Sequence, residues 1–211
     1  FVAKASDSDA ILYKREAYDE FPNLWVAKDA SFETVQQHTQ LHMDLKERWN
    51  WGSAELVDWL STDGTFIQGV VIKPDNYDPN KRYPIMTYYY RFLTNRLHDF
   101  NEPKTNHRPV FAQYVSDDYV IFLPDIRFEI GRPGFAATKS VVPGIQKLVE
   151  LGIADPGKLG LHGHSWSGYQ TAFIVTQTDI FDAAISGAPV SNMTSAYGGI
   201  RWASGMARSF Q

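Results

Sequence analysis

Two short apolar runs open the chain, Ala10-Ile11-Leu12-Tyr13 and Leu24-Trp25-Val26-Ala27. Both have the length and apolar-aromatic content of a strand, and Phe21-Pro22-Asn23 offers turn chemistry between them. Gln36 to Trp49 is polar without a clean period and reads as a link between two units. From Glu55 the pattern becomes regular. Glu55–Leu60 and Thr65–Lys73 are strand-like runs joined by Ser61-Thr62-Asp63-Gly64, which predicts a hairpin. A polar turn segment from Pro74 to Arg82 leads into the apolar and aromatic run Tyr83–Tyr90. Pro109 to Ser116 predicts a helix with Phe111, Tyr114 and Val115 on one face.

Tyr119–Leu123 is short and fully apolar and ends at Pro124, as a strand covered on both faces would. Val141, Ile145, Leu148 and Val149 fall at helical spacing, with Gly152 where a helix stops. Pro143 either weakens that helix or belongs to its first turn. Lys158–His162 then reads as a strand, Ser167–Thr176 as a helix and Ala183–Ala188 as a sixth strand of the regular region. An opening hairpin followed by alternating strands and helices predicts an α/β domain, its sheet mostly parallel with helices on both faces.

Composition narrows the function. Twenty Lys and Arg against 24 Asp and Glu give a net charge of −4, with no basic stripe, so nucleic acid is not an expected partner. No stretch approaches the roughly 20 apolar residues of a membrane span. The absence of cysteine excludes disulfides, thiolate metal sites and cysteine nucleophiles.

The chemistry is concentrated in Gly160-Leu161-His162-Gly163-His164-Ser165-Trp166-Ser167-Gly168-Tyr169, between the fifth regular strand and the next helix. A serine flanked by glycines at that junction suits a nucleophile elbow, a sharp turn that lifts the hydroxyl above the sheet. Small neighbours suit it because a strained backbone and close strand–helix approach leave no room for a Cβ. The usual pattern is G-x-S-x-G; here Ser167 stands where its second glycine belongs and Gly168 follows one later. The competing reading is that Ser165 only caps the helix.

Asp155-Pro156, Lys158-Leu159-Gly160, His164-Ser165-Trp166 and Gly168-Tyr169-Gln170 together resemble the active-serine region of the prolyl oligopeptidase family of serine peptidases. The resemblance is nearest to dipeptidyl-peptidase-like and acylaminoacyl-peptidase-like members. It extends to Phe181-Asp182-Ala183-Ala184, Gly187-Ala188-Pro189-Val190 and the run from Asn76-Tyr77-Asp78-Pro79 to Tyr83-Pro84, covering roughly Trp51 to the end. It implies an α/β-hydrolase peptidase domain over residues 51–211 and, over residues 1–50, the tail of a β-propeller with a linker. Ser165 would be the nucleophile. The family's oxyanion-stabilising tyrosine maps to Tyr90, and the partnering backbone N–H to Trp166. The alternative for Tyr90 is a packed core aromatic, since alternation sets Tyr88 and Tyr90 on one face and Tyr89 on the other. Arg91-Phe92-Leu93 replaces the small residues and proline that the family usually has after this tyrosine.

In this fold the triad order is serine, acid, histidine. None of the 46 residues after Ser165 is a histidine, and Asp179 and Asp182 are too near in sequence to be the usual acid. The resemblance therefore implies that both partners lie beyond Gln211 and that the domain is truncated after its sixth strand. The expected activity of the intact protein is peptide-bond hydrolysis, with a peptide as substrate, no cofactor and room for a homo-oligomer. The family weakly favours an exported or periplasmic setting. An esterase of the same fold and a non-catalytic fragment that binds through an exposed edge strand remain as alternatives.

The remaining candidates have plainer readings. His38 and His42 are four apart, but Thr39 stands where a zinc-binding helix needs glutamate, so no metal site is expected. His162 and His164 are expected to pack or contact backbone. His98 and His107 fall in the long segment from Arg91 to Arg108, which would cover a site or be mobile. Asp125 and Arg127 are expected to form an ion pair that orders a loop.

Overall fold

The computed structural model describes residues 1–203 and 205–207. Its first sheet is a four-stranded antiparallel meander of β1 (Ala3–Lys4), β2 (Ile11–Ala17), β3 (Glu20–Ala27) and β4 (Val35–Gln37). The turn between β2 and β3 is at Tyr18-Asp19, not at Phe21-Pro22-Asn23, which lies inside β3. The register slips between Arg15 and Ala17, where they pair with Asn23 and Glu20. Pro22 falls in that irregularity, where the ladder does not require its missing N–H. The expected link is partly ordered as well, into β4 and the short helix α1 (Leu45–Arg48).

The second sheet has six strands: β5 (Ser53–Leu60), β6 (Phe66–Lys73), β7 (Tyr83–Tyr88), β8 (Val120–Pro124), β9 (Ala154–His164) and β10 (Ala183–Gly187). Their spatial order is β10-β9-β7-β8-β6-β5. The expected hairpin is β5–β6, in register from Ser53 opposite Lys73 to Leu60 opposite Phe66. β6 meets β8 antiparallel, and β8, β7, β9 and β10 run parallel to one another. The parallel strands read as near-continuous apolar runs because both faces are covered.

Behind the sheet lie α3 (Pro133–Glu150) and α4 (Trp166–Ile174); in front lies α2 (Phe111–Ser116). The rear core joins Val141, Ile145 and Leu148 of α3 to Ile67, Ile85 and Phe122 of the sheet, all essentially solvent-free. α3 begins ten residues before Pro143, so that proline is in the helix interior and not its first turn. One turn earlier, the Ser140 carbonyl accepts from the indole N–H of Trp59 at 2.9 Å, a tie to β5 in addition to any intrahelical bond. Gly152 ends the helix at φ 75°, the left-handed stop its sequence position predicts. The front core is smaller and gathers Val70, Ile72, Tyr88, Phe111, Val115 and Ile121. Beyond these elements come α5 (Met193–Tyr197) and a ribbon of β11 (Ile200–Arg201) and β12 (Met206–Ala207). No helix among the described residues is long and apolar enough to cross a membrane.

Candidate active site

Ser165 sits between the carboxyl end of β9 and the amino end of α4 with φ 62° and ψ −113°. A non-glycine residue in that region is strained by about 1–3 kcal/mol and persists only where its surroundings over-determine it. Here they do. The Ser165 N–H donates to the Gly187 carbonyl at 2.9 Å, pinning the turn to β10. A Cβ on Gly163 would stand 2.1 Å from the Ser167 carbonyl oxygen and 2.5 Å from the Thr171 hydroxyl, so β9 and α4 approach as only glycine allows. A Cβ on Gly168 would meet the Gly187 carbonyl oxygen at 2.5 Å.

Ser167, the departure from the usual pattern, is fully buried. Its hydroxyl accepts from the His164 N–H at 2.9 Å and donates to the His164 carbonyl at 3.0 Å. The substitution thus locks the turn with two hydrogen bonds that glycine cannot make. Nor does the side chain of Ser165 cap α4; its geometry lacks the capping bond that the competing reading requires.

The three tyrosines at the end of β7 divide as alternation predicts, with one refinement: the strand ends at Tyr88 and Tyr90 lies in the bend beyond it. Tyr89 is solvent-free and its hydroxyl lies 2.7 Å from that of Thr171, tying α4 to the end of β7. Tyr88 is packed edge-on against His162 and beside Phe111, and burial pushes its phenol up despite the lowering influence of Arg108. Tyr90 is 44% exposed, so it is not the packed core aromatic of the alternative reading. Tyr88, Tyr90, His164 and Ser165 all line one open cavity of about 600 Å³. Trp166, the first residue of α4, is half-buried with its ring 5.7 Å from that of Tyr169.

The segment from Arg91 to Arg108 covers this cavity, as one of its two expected roles requires. Its anchor is Asp125, but not through an ion pair with Arg127. The buried carboxylate accepts from the N–H groups of Leu93 at 2.6 Å and Thr94 at 3.0 Å, and from the Thr94 hydroxyl at 2.6 Å. Arg127 instead lies over the Phe92 ring at 5.2 Å. A buried carboxylate can be satisfied by converging donors as well as by a cation, and the loop supplies three. The middle of the segment is held by Phe100, which packs edge-on against Phe21 and tilted against Trp51 while its N–H donates to Glu16 at 3.2 Å. Sequence reasoning missed the parts played by Tyr89, Ser167 and the donors to Asp125, because each depends on contacts between distant segments.

The histidines separate. His107 reaches over from the covering segment to place its ring 4.5 Å from that of His164. His162 is half-buried, and burial is the first cause of its lowered pKa, followed by the neighbouring His164 and His107. His38 does not meet His42 at a metal: His42 has φ 52° and packs on Phe21, while Thr39 bonds Asn23. Among the described residues no three His, Cys, Asp or Glu side chains form a group able to hold a metal ion.

A strained serine at a strand–helix junction, on a sheet of this strand order, is the arrangement of the α/β-hydrolase fold. Solved structures with that fold include a Mycobacterium tuberculosis puromycin-hydrolyzing peptidase (17% identity, TM-score 0.70) and the Pyrococcus horikoshii acylaminoacyl peptidase (19% identity, TM-score 0.69). The alignment covers 92% of this chain in both cases, and 31% and 32% of those chains. The profile of the prolyl oligopeptidase family matches residues 130–206. Dipeptidyl peptidase 8 of mouse and of human are each 28% identical over 155 residues, 65% of this chain and 17% of theirs. Residues 130–206 thus match the prolyl oligopeptidase family, on a fold shared with these solved peptidases, and the chain spans about one sixth of the length of the curated relatives it matches.

Proposed function

We propose that this chain is the nucleophile-bearing part of a serine peptidase that cleaves peptide bonds through an acyl-enzyme on Ser165. The observation that carries this reading is the left-handed Ser165 at the β9–α4 junction, facing the same cavity as Tyr90. The Ser165 hydroxyl oxygen attacks the scissile carbonyl carbon as its proton passes to a histidine base. The oxyanion so formed accepts from the Tyr90 hydroxyl and the Trp166 N–H at the positive end of α4. The base returns the proton to the leaving amine, the C–N bond breaks, and water then releases the acyl group by the same route. The base is read as a histidine oriented by a carboxylate, the arrangement that a serine nucleophile requires. The antiparallel meander of residues 1–50 is read as the end of a propeller.

The test is fluorophosphonate labelling of the full-length protein beside its Ser165→Ala variant. Labelling that disappears in the variant is expected; a folded protein that stays unlabelled overturns the reading. Tyr90→Phe should keep peptide affinity while lowering kcat by about 10²–10³, the usual cost of one oxyanion donor. Turnover of peptide amides compared with p-nitrophenyl esters separates a peptidase from an esterase on the same fold.

A further inference from the structure

The cavity in front of Ser165 is chemically divided. Its inner wall is apolar, with Val70, Ile72, Phe111 and Leu123, whereas the covering segment brings charge to its mouth. Four cations line it, Arg91, Arg96, Lys104 and Arg108, against only two carboxylates, Asp99 and Glu102. Both carboxylates are already engaged, Asp99 by Arg96 at 2.9 Å and Glu102 by Lys104 at 2.5 Å. Among the described residues, neither Arg91 nor Arg108 has a carboxylate within ion-pair distance. This local excess of two positive charges stands in a chain whose net charge is −4, so it is a property of the cavity and not of the composition.

The neighbourhood registers the excess. Burial lowers the pKa of His107 first, and His164 and Arg108 lower it further. Arg108 also draws the Tyr88 phenol back down against its burial. The Arg91 guanidinium lies over the Phe92 ring at 5.4 Å. Clefts lined with one sign of charge concentrate ligands of the other, and a guanidinium fork matches a carboxylate with two parallel hydrogen bonds.

We propose that Arg91 and Arg108 form a carboxylate-recognising subsite, which makes peptides bearing a carboxylate close to the bond cleaved at Ser165 the favoured substrates. The proposal rests on the peptidase reading above for its chemistry, and on the charge census of the cavity for its specificity. One carboxylate chemistry has two sources here, an Asp or Glu side chain or the free end of the peptide.

The experiment uses the full-length protein and matched fluorogenic peptides that differ only as Glu against Gln beside the scissile bond. A second pair differs as free acid against carboxamide at the peptide end. The favoured carboxylate source should gain about tenfold in kcat/KM, as one charge-assisted contact supplies, carried by KM and weakened by salt. The preference should vanish in an Arg91→Gln, Arg108→Gln double variant, with kcat on the neutral peptide retained. Arg108→Lys should keep part of it, because the charge remains while the fork is lost. Whichever pair shows the effect identifies the source. Equal turnover within both pairs, in a protein whose Ser165 still labels, overturns the subsite and leaves the peptidase reading standing. If no peptide is turned over, binding of the same pairs to the Ser165→Ala variant decides. Tighter binding of either acidic peptide, lost in the double variant, supports the subsite even as the peptidase reading falls; equal binding overturns it.

Discussion

Behind the central sheet, α3 and α4 close over a core in which Ile67, Ile85, Val120 and Phe122 have no solvent contact at all. In front, Met86, Leu93 and Leu123 each keep a little exposure, and the surface opens into the cavity under the Arg91–Arg108 segment. The rear is packed to the limit of what glycine permits: a Cβ on Gly144 would meet Trp59 and Phe122 at 2.8 Å, and one on Gly134 would meet Phe173 at 2.6 Å. The front is held by polar ties and aromatic stacking. The difference shows how a sheet can be tightly packed on one face and leave a cavity open on the other. The left-handed turn at Ser165 is braced from the rear by β9 and α4, so the front face can remain open without letting that turn relax.

The comparison breaks most visibly at Gly163. Alanine there would drive its Cβ into the backbone of Ser167, which cannot yield as a flexible side chain would. Gly163→Ala should cost about 3 kcal/mol or more, the upper range for overpacking, read from the urea midpoint. It should also abolish fluorophosphonate labelling. A variant with unchanged midpoint and labelling would show that the strand–helix approach is looser than these distances require.

Next comes Ser167→Gly, which restores the usual spacing of the motif and so would be expected from pattern alone to be harmless. The structure predicts the reverse. The variant loses both hydrogen bonds to the His164 backbone, in a fully buried site, and places glycine in the first turn of α4. A loss of about 2 kcal/mol follows from those bonds and the helix cost of glycine. A neutral or stabilising result would mean that the turn is set by β9 and β10 alone.

Asp125→Asn tests the front face and should act more locally. The amide still offers one acceptor, but the second carboxylate oxygen, which takes the Thr94 hydroxyl, is replaced by a donor. A global loss of about 1 kcal/mol is expected from one charged hydrogen bond partly replaced. The larger signal should be faster hydrogen exchange at the Leu93 and Thr94 amides, with protection in α3 unchanged. Equal acceleration in both places would erase the distinction between the two faces.

How much of this could be read from the chain follows the same division. The sheet strands, α3 and the serine turn were legible because periodicity, apolar runs and glycine spacing are local signals, and Gly152 even marked a helix end. Pro22 and Pro143 misled because a proline announces a missing N–H without saying whether a register slip or the interior of a long helix accommodates it. Asp125 was expected to seek Arg127, two residues away, yet its donors come from more than thirty residues earlier in the chain. Ser167 looked like a defect in a motif because the backbone groups it bonds become neighbours only once the turn has formed. Local patterns prescribe elements; the ties that shape the cavity are long-range and carry little local signature.

The smallest predicted effect concerns His162, at the boundary between the rear and front layers. Its pKa lies below the ordinary 6.5, first because burial penalises the cation and then because His164 and His107 repel it. The unfolded chain therefore binds a proton more readily than the native state does. By linkage, the neutral ring's contribution to stability is fully present above about pH 6.5 and is lost as the pH falls through the lower native value. The urea midpoint should fall as the pH drops below about 6.5, more steeply than carboxylates alone would give. His162→Asn removes the titration and should flatten that part of the curve. His107, whose pKa is lowered in the same direction, is exposed at the cavity mouth, where solvent screens it, so His107→Asn should flatten the curve less. The order of the two variants is the informative quantity. If His107→Asn had the greater effect, the covering segment, and not the edge of the packed core, would hold the proton-sensitive contacts.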